Sequence, residues 1–148
     1  MKKIVYFDMD NVLVNFEHAL QYIDTKTLLE YEGRYDEIPG LFKLMIPLKD
    51  AISSFNKISK EYDVYILSTA PWNNNSAWSD KHQWVKTYLG DAATKRLILS
   101  HHKNLLKGDY LIDDRLKNGV DKFEGIHIHF GTSSYPTWNS VVEYLCGK

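Results

Sequence analysis

Short apolar runs alternate with amphipathic stretches along the whole chain. Ile4 to Phe7 is an apolar run that stops at acidic residues, the pattern of a buried strand delivering Asp8 to its C-terminal end. From Phe16 to Tyr31 the positions Phe16, Ala19, Leu20, Ile23, Leu28 and Tyr31 recur at helical spacing, and Gly33 follows as a stop. Pro39-Gly40 marks a turn. A second helix is predicted from Leu48 to Tyr62, with Ala51, Ile52, Phe55 and Ile58 on one face, leading into a strand from Asp63 to Leu67 that ends at Ser68-Thr69. The stretch Ala70 to Ala77 reads as a loop, and Trp84, Val85, Tyr88 and Leu89 form a helical stripe closed by Gly90. Further strands are expected at Leu97–Leu99, Tyr110–Ile112 and Ile126–Phe130, and a last helix at Trp138–Leu145. Strands alternating with helices in this way predict an α/β fold with a mostly parallel sheet flanked by helices.

At 148 residues the chain suits one domain with its own core, and no repeat, linker or low-complexity tract interrupts it. A formal charge of -1 gives no global grip on a polyanion, so long nucleic acid is not an expected partner. The single cysteine, Cys146, rules out an internal disulfide framework and suits a reducing cytoplasm. The apolar run after Met1-Lys2-Lys3 is too short for a signal peptide or a membrane span, so a soluble cytoplasmic protein without a membrane partner is expected.

In open α/β sheets the ligand lies outside the C-terminal ends of the strands. The residues that fall there are Asp8 and Asp10, Ser68 and Thr69, His101 to Lys103, and Asp113 with Asp114. Asp8 and Asp10, two positions apart, can converge on one ligand, one attacking phosphorus while the other moves a proton. Alone, such a pair is equally compatible with ordinary turn chemistry. The second acidic pair changes the picture, because four carboxylates in one cleft repel one another unless a cation sits among them, and oxygen-only ligands favour Mg²⁺. Thr69 and Ser68 offer hydroxyls and following amides to phosphate oxygens, and Lys103 supplies positive charge. His127 and His129 share a strand face, but two ligands do not complete a zinc site, and a structural or exposed role is expected.

Taken in order, Asp8-Met9-Asp10-Asn11-Val12-Leu13, then Tyr65-Ile66-Leu67-Ser68-Thr69, then Lys103, then Leu111-Ile112-Asp113-Asp114-Arg115 resembles the haloacid dehalogenase superfamily. More narrowly, the run Asp8 to Glu17, Ser68-Thr69-Ala70-Pro71-Trp72, Trp84 to Gly90 and Ile112 to Arg115 resemble the cytosolic and mitochondrial 5'(3')-deoxyribonucleotidases over nearly the whole chain. The resemblance implies a Rossmann-like core, a small helical cap inserted after strand one over about residues 16–62, and one Mg²⁺. It makes Asp8 nucleophile and metal ligand, and Asp10 the acid/base whose backbone carbonyl also meets the metal. Thr69 and Lys103 would hold the phosphoryl group, with Asp114 ligating the metal directly and Asp113 nearby or through water. Phe16 would face the base or sugar, with Phe42 as a further aromatic position.

Asn11 stands where the family commonly has Gly, and Asn tolerates the left-handed backbone such a turn needs. The implied activity is a phosphomonoesterase with an aspartyl-phosphate intermediate, acting on deoxyribonucleoside monophosphates. A phosphatase for another small phosphomonoester is the alternative. A receiver-like signalling module is disfavoured because the acidic pair comes last in the chain rather than first. The sequence leaves open the base preference, 5' against 2' or 3' phosphates, and whether the protein is a homodimer.

Overall fold

The computed structural model describes residues 1–147. In chain order its regular elements are β1 (Ile4–Phe7), β2 (Val14–Asn15), α1 (Phe16–Leu20), α2 (Thr25–Glu30), β3 (Ile46–Pro47) and α3 (Ala51–Ser59), followed by β4 (Asp63–Ser68), α4 (Asn75–Tyr88), β5 (Leu97–Leu99), β6 (Tyr110–Asp113), β7 (Ile126–His129) and α5 (Trp138–Cys146). Five strands form one parallel sheet in the order β5-β4-β1-β6-β7. The chain builds outward from β1 through β4 to β5, then crosses to lay β6 and β7 on the other side. That reversal puts the topological switch point at the C-terminal end of β1, where Asp8 follows.

Both faces of the sheet are covered. Val5 and Phe7 on one face of β1 are fully buried, with the Phe7 ring 5.0 Å from Phe55 of α3 and 5.7 Å from Trp138 of α5. Tyr6 on the other face packs with Leu67, Leu111, Val120 and Phe123. A parallel strand buried on both sides carries a continuous apolar run rather than an alternating one, which is the pattern of Ile4 to Phe7.

One expectation is corrected in the segment after β1. The single helix from Phe16 to Tyr31 is two, α1 and α2, because Asp24 caps the second by accepting from the Thr27 amide at 2.8 Å. The periodicity runs across the break since Leu20, Ile23 and Leu28 all pack against the same core. The excursion of 16–62 also divides. The antiparallel pair β2–β3 brackets residues 16–45, whereas α3 lies on the sheet, with Phe55 against Phe7. Residues of the excursion are tied to α4 instead. The Asn74 side-chain amide donates to the carbonyls of Asp36 and Ile38 at 2.9 and 3.0 Å, and Trp84 Nε1 donates to Met45 O at 3.0 Å. The loop expected up to Ala77 gives way to α4 at Asn75.

Candidate active site

Asp8 extends the ladder beyond β1, its amide donating to Ile112 O at 2.9 Å, so its side chain emerges beside Asp113, the last residue of β6. Lys103 reaches both carboxylates, with Nζ 3.0 Å from Asp8 Oδ1 and 2.6 Å from Asp113 Oδ2. All three side chains are buried. Asp113 Oδ1 accepts from the Arg115 amide at 3.0 Å, so both of its oxygens have partners. Asp114 Oδ1 is buried and has none among the described residues.

Oxygens of Asp8, Asp113 and Asp114 lie within 4.8 Å of one another. Burial, reinforced by the charge of Asp8, pushes Asp113 up to about 6 and Asp114 up to about 7. Burial would lower the Lys103 pKa, but Asp8 and Asp113 outweigh it and hold the ammonium above its ordinary range.

The histidines of β7 support this cluster from behind. His127 Nε2 lies 2.9 Å from Asp113 O and His129 Nε2 3.0 Å from Asp114 O, with the rings stacked at 4.8 Å. A carbonyl only accepts, so each Nε2 carries the hydrogen. Their role is structural, as expected, and specific: they fix the backbone that presents the acidic pair.

Asp10 sits on the other side of Asp8, across a tight turn in which Asn11 adopts φ 61° and the amides of Val12, Leu13 and Val14 all donate to Met9 O. The left-handed backbone expected at Asn11 is therefore present. Asp10 Oδ1 accepts from Lys81 Nζ at 2.9 Å. Lys81 is completely buried, donates also to Ser68 Oγ at 2.8 Å, and lies 4.5 Å from the centre of the Phe42 ring. Burial, with Asp8 adding to it, raises the Asp10 pKa against the opposing pull of Lys81.

The remaining predicted residues occupy varied surroundings. Thr69 lines the opening of the site and donates its hydroxyl to Ser100 O at 2.7 Å. Ser68 is buried with its hydroxyl engaged by Lys81, not turned toward a cleft. Phe16 borders a cavity of about 540 Å³ with Asp10, Asn11, Arg34, Tyr35 and Arg115. Phe42 is buried beneath it, edge-on at 6.0 Å, so the second aromatic position expected to meet a base belongs to the core. A smaller cavity of about 250 Å³ shares Asp10 and Arg115 and is bordered by Trp72 and His101. Lys81 escaped the sequence reading. Its signal was a lysine on the core stripe of α4, in step with Ala77, Trp84 and Val85.

Residues 25–141 match the family described as 5' nucleotidase, deoxy (pyrimidine), cytosolic type C protein. The chain belongs to this nucleotidase family. A protein of Vibrio phage KVP40 is 58% identical over 147 residues, covering 99% of this chain and 86% of its own. One from Bordetella bronchiseptica is 31% identical over 137 residues, covering 76% and 74%. Both bear the name "Putative 5'(3')-deoxyribonucleotidase". Among solved structures, the "putative HAD-hydrolase YfnB from Bacillus subtilis bound to magnesium" superposes with a TM-score of 0.66 at 11% identity over 97% of this chain and 98% of that one. A haloacid dehalogenase-like hydrolase from Xanthomonas campestris gives a TM-score of 0.52 at 14% identity over 85% and 81%. The nucleotidase is thus a phosphomonoester hydrolase with a haloacid dehalogenase fold. No helix among the described residues is long and apolar enough to cross a membrane.

Proposed function

We propose that this nucleotidase depends on Mg²⁺ and dephosphorylates deoxyribonucleoside monophosphates through a phosphoryl group carried transiently by Asp8. The observation that carries the reading is the set of three converging carboxylates held against a single ammonium, Lys103. Such a cluster is short of positive charge, and its donors are all oxygen, which suits a hard cation. Asp114, with its buried unpartnered Oδ1, would bind the ion directly, as would Asp8 and the Asp10 carbonyl, while Asp113 stands by with both oxygens engaged. Bound there, the ion would neutralise charge on the phosphoryl oxygens.

The chain's own residues supply the covalent steps. A carboxylate oxygen of Asp8 attacks phosphorus, the ester P–O bond breaks, and the leaving oxygen takes a proton from Asp10. Asp10, then a carboxylate, takes a proton from a water whose oxygen attacks phosphorus, which frees Asp8 and releases inorganic phosphate. The raised pKa of Asp10 suits a group that must hold a proton in the first step. Lys103, 3.0 Å from Asp8, supplies positive charge to the phosphoryl oxygens, and Thr69 meets them by releasing the hydroxyl hydrogen it gives to Ser100 O.

A nucleotide is favoured by the cavity beside Asp10, about 540 Å³, which offers the aromatic surfaces of Phe16 and Tyr35, with Arg34, Arg115 and Lys117 set among Asp10, Glu17 and Asp36. A cytoplasmic setting fits the single cysteine. A panel of phosphomonoesters with and without Mg²⁺ tests the reading. Deoxynucleotides such as dUMP and dTMP should exceed glycerol phosphate and hexose phosphates in kcat/KM, with no turnover after chelation. Equal efficiency across the panel would contradict the substrate choice, and undiminished turnover without the ion would contradict the metal requirement.

A further inference from the structure

A lysine with none of its side chain exposed is rare unless its charge is paired, and Lys81 spends its charge on one group of the site. Its ammonium is enclosed by the Asp10 carboxylate at 2.9 Å, the Ser68 hydroxyl at 2.8 Å and the Phe42 ring at 4.5 Å. These three belong to different parts of the molecule. Ser68 ends β4, Phe42 lies in the excursion between β2 and β3, and Asp10 follows β1. Lys81 itself comes from α4, whose start is tied to the excursion through Asn74 and through Ser76, which accepts from the Gly40 amide at 2.9 Å.

The Asp10 carboxylate, by contrast, has no other hydrogen-bond partner among the described residues. About 20% of its side chain is exposed, it borders both cavities, and Lys81 is the group that bonds its carboxylate. A carboxylic acid on a short side chain can swing about two torsions, and a displacement of the order of an ångström costs proton transfer heavily. Lys81 occupies Oδ1 and so leaves Oδ2 to carry the proton.

We propose that Lys81 is a positioning residue for proton transfer, fixing Asp10 through Oδ1 so that Oδ2 faces the leaving oxygen. The inference rests on the phosphatase reading above and adds to it a residue that acts solely through Asp10. Ser68 belongs to the same device as the support that holds the ammonium in line, which gives its buried hydroxyl a purpose other than contact with phosphate.

The test compares wild type, Lys81→Met, Asp10→Asn and the double variant on dUMP, whose alkoxide leaving group needs a proton, and on p-nitrophenyl phosphate, whose leaving group does not. The parameter is kcat/KM, which reports steps up to release of the first product and excludes the later attack by water. Lys81→Met should lower kcat/KM for dUMP by about 10²-fold, the scale of an ångström misplacement, while p-nitrophenyl phosphate changes little. In the Asp10→Asn background, adding Lys81→Met should change kcat/KM for dUMP by no more than about twofold. That variant removes both charges of the buried pair and so avoids leaving one uncompensated.

Ser68→Ala retains both charges and should show the same leaving-group-selective loss on a smaller scale, so the inference stays testable if Lys81→Met does not fold. Equal losses on both esters, or losses that add to those of Asp10→Asn, would overturn the role and make Lys81 a phosphate-binding or purely structural group. A wild-type protein inactive on every ester would overturn the phosphatase reading and this inference with it. An active wild type with additive losses would overturn this inference alone.

Discussion

The two aspartates at the end of β1 live in opposite electrostatic settings two residues apart. Asp8 shares Lys103 with Asp113 and lies within reach of Asp114, so its side of the site carries more negative than positive charge. The Asp10 side chain, by contrast, is bonded by Lys81 alone among the described residues, through one oxygen, and shares no cation with another carboxylate. The first arrangement is short of positive charge, and in the second the side chain is fixed by a partner within the protein. The difference separates two tasks: binding and attack on one side, proton movement on the other.

Replacing one carboxylate at a time should break this contrast most visibly. Asp8→Asn removes the attacking oxygen and should lower kcat for dUMP on the order of 10⁴–10⁶-fold, the scale found when a covalent nucleophile is deleted. Steady-state assays on protein free of contaminating phosphatase, with circular dichroism to verify the fold, check this. Asp10→Asn should cost ~10²–10⁴-fold on dUMP, and less on p-nitrophenyl phosphate when kcat/KM is compared. Equal losses on the two esters would erase the division of labour.

A gentler change sharpens the comparison from the substrate's side. Phe16 borders the cavity next to Asp10, so Phe16→Ala should raise KM for nucleotides more than for sugar phosphates. Stacking worth about 1–3 kcal/mol corresponds to a change of roughly 5- to 150-fold. A Michaelis–Menten series on both substrate classes reads the split, and a change confined to thermal stability would assign Phe16 to packing alone.

The smallest effect is on stability, and it probes the deficit of charge directly. Asp113 and Asp114 have folded pKa values of about 6 and about 7, above the ordinary carboxylate value of 3.8. The folded state therefore holds these protons more tightly than the unfolded chain. Their contribution to stability is full below about pH 4 and is lost as the pH rises through 6 to 7. Without divalent ions, the part of Tm due to this pair should fall over that window, and Asp114→Asn should flatten the dependence. Added Mg²⁺ should raise Tm more at pH 8 than at pH 5, because the ion competes with the protons. Differential scanning fluorimetry across pH, with and without Mg²⁺, measures both trends.

The two halves of the site also differ in how far the sequence discloses them. Asp8, Lys103, Asp113 and Asp114 are legible because strand ends in an α/β sheet converge, and a short apolar run followed by an acid marks each carboxylate. The five strands of the parallel sheet are legible within a residue or two for the same reason, whereas the two-residue strands β2 and β3 leave no such run. Lys81 and Phe42 meet Asp10 only through tertiary packing between α4 and the excursion, and neither has a strand end to announce it. The break between α1 and α2 was hidden because the apolar positions keep their period across it, and only the Asp24 cap marks the interruption. Lys81 left one trace, a charge on an apolar helical stripe, which periodicity can flag but to which it cannot assign a partner.

The central claim is that Asp8, and not a water, first takes the phosphoryl group. Acid quenching of the Asp10→Asn variant during turnover of p-nitrophenyl phosphate, followed by proteolysis and tandem mass spectrometry, tests it most directly. This variant retains the nucleophile and lacks the base that activates water, so the intermediate should accumulate. The account predicts one phosphoryl group on Asp8 in the peptide that contains it, lost on treatment with hydroxylamine and absent from Asp8→Asn/Asp10→Asn. An unmodified Asp8 while p-nitrophenol is being released, or a phosphoryl group on any other residue, would contradict it.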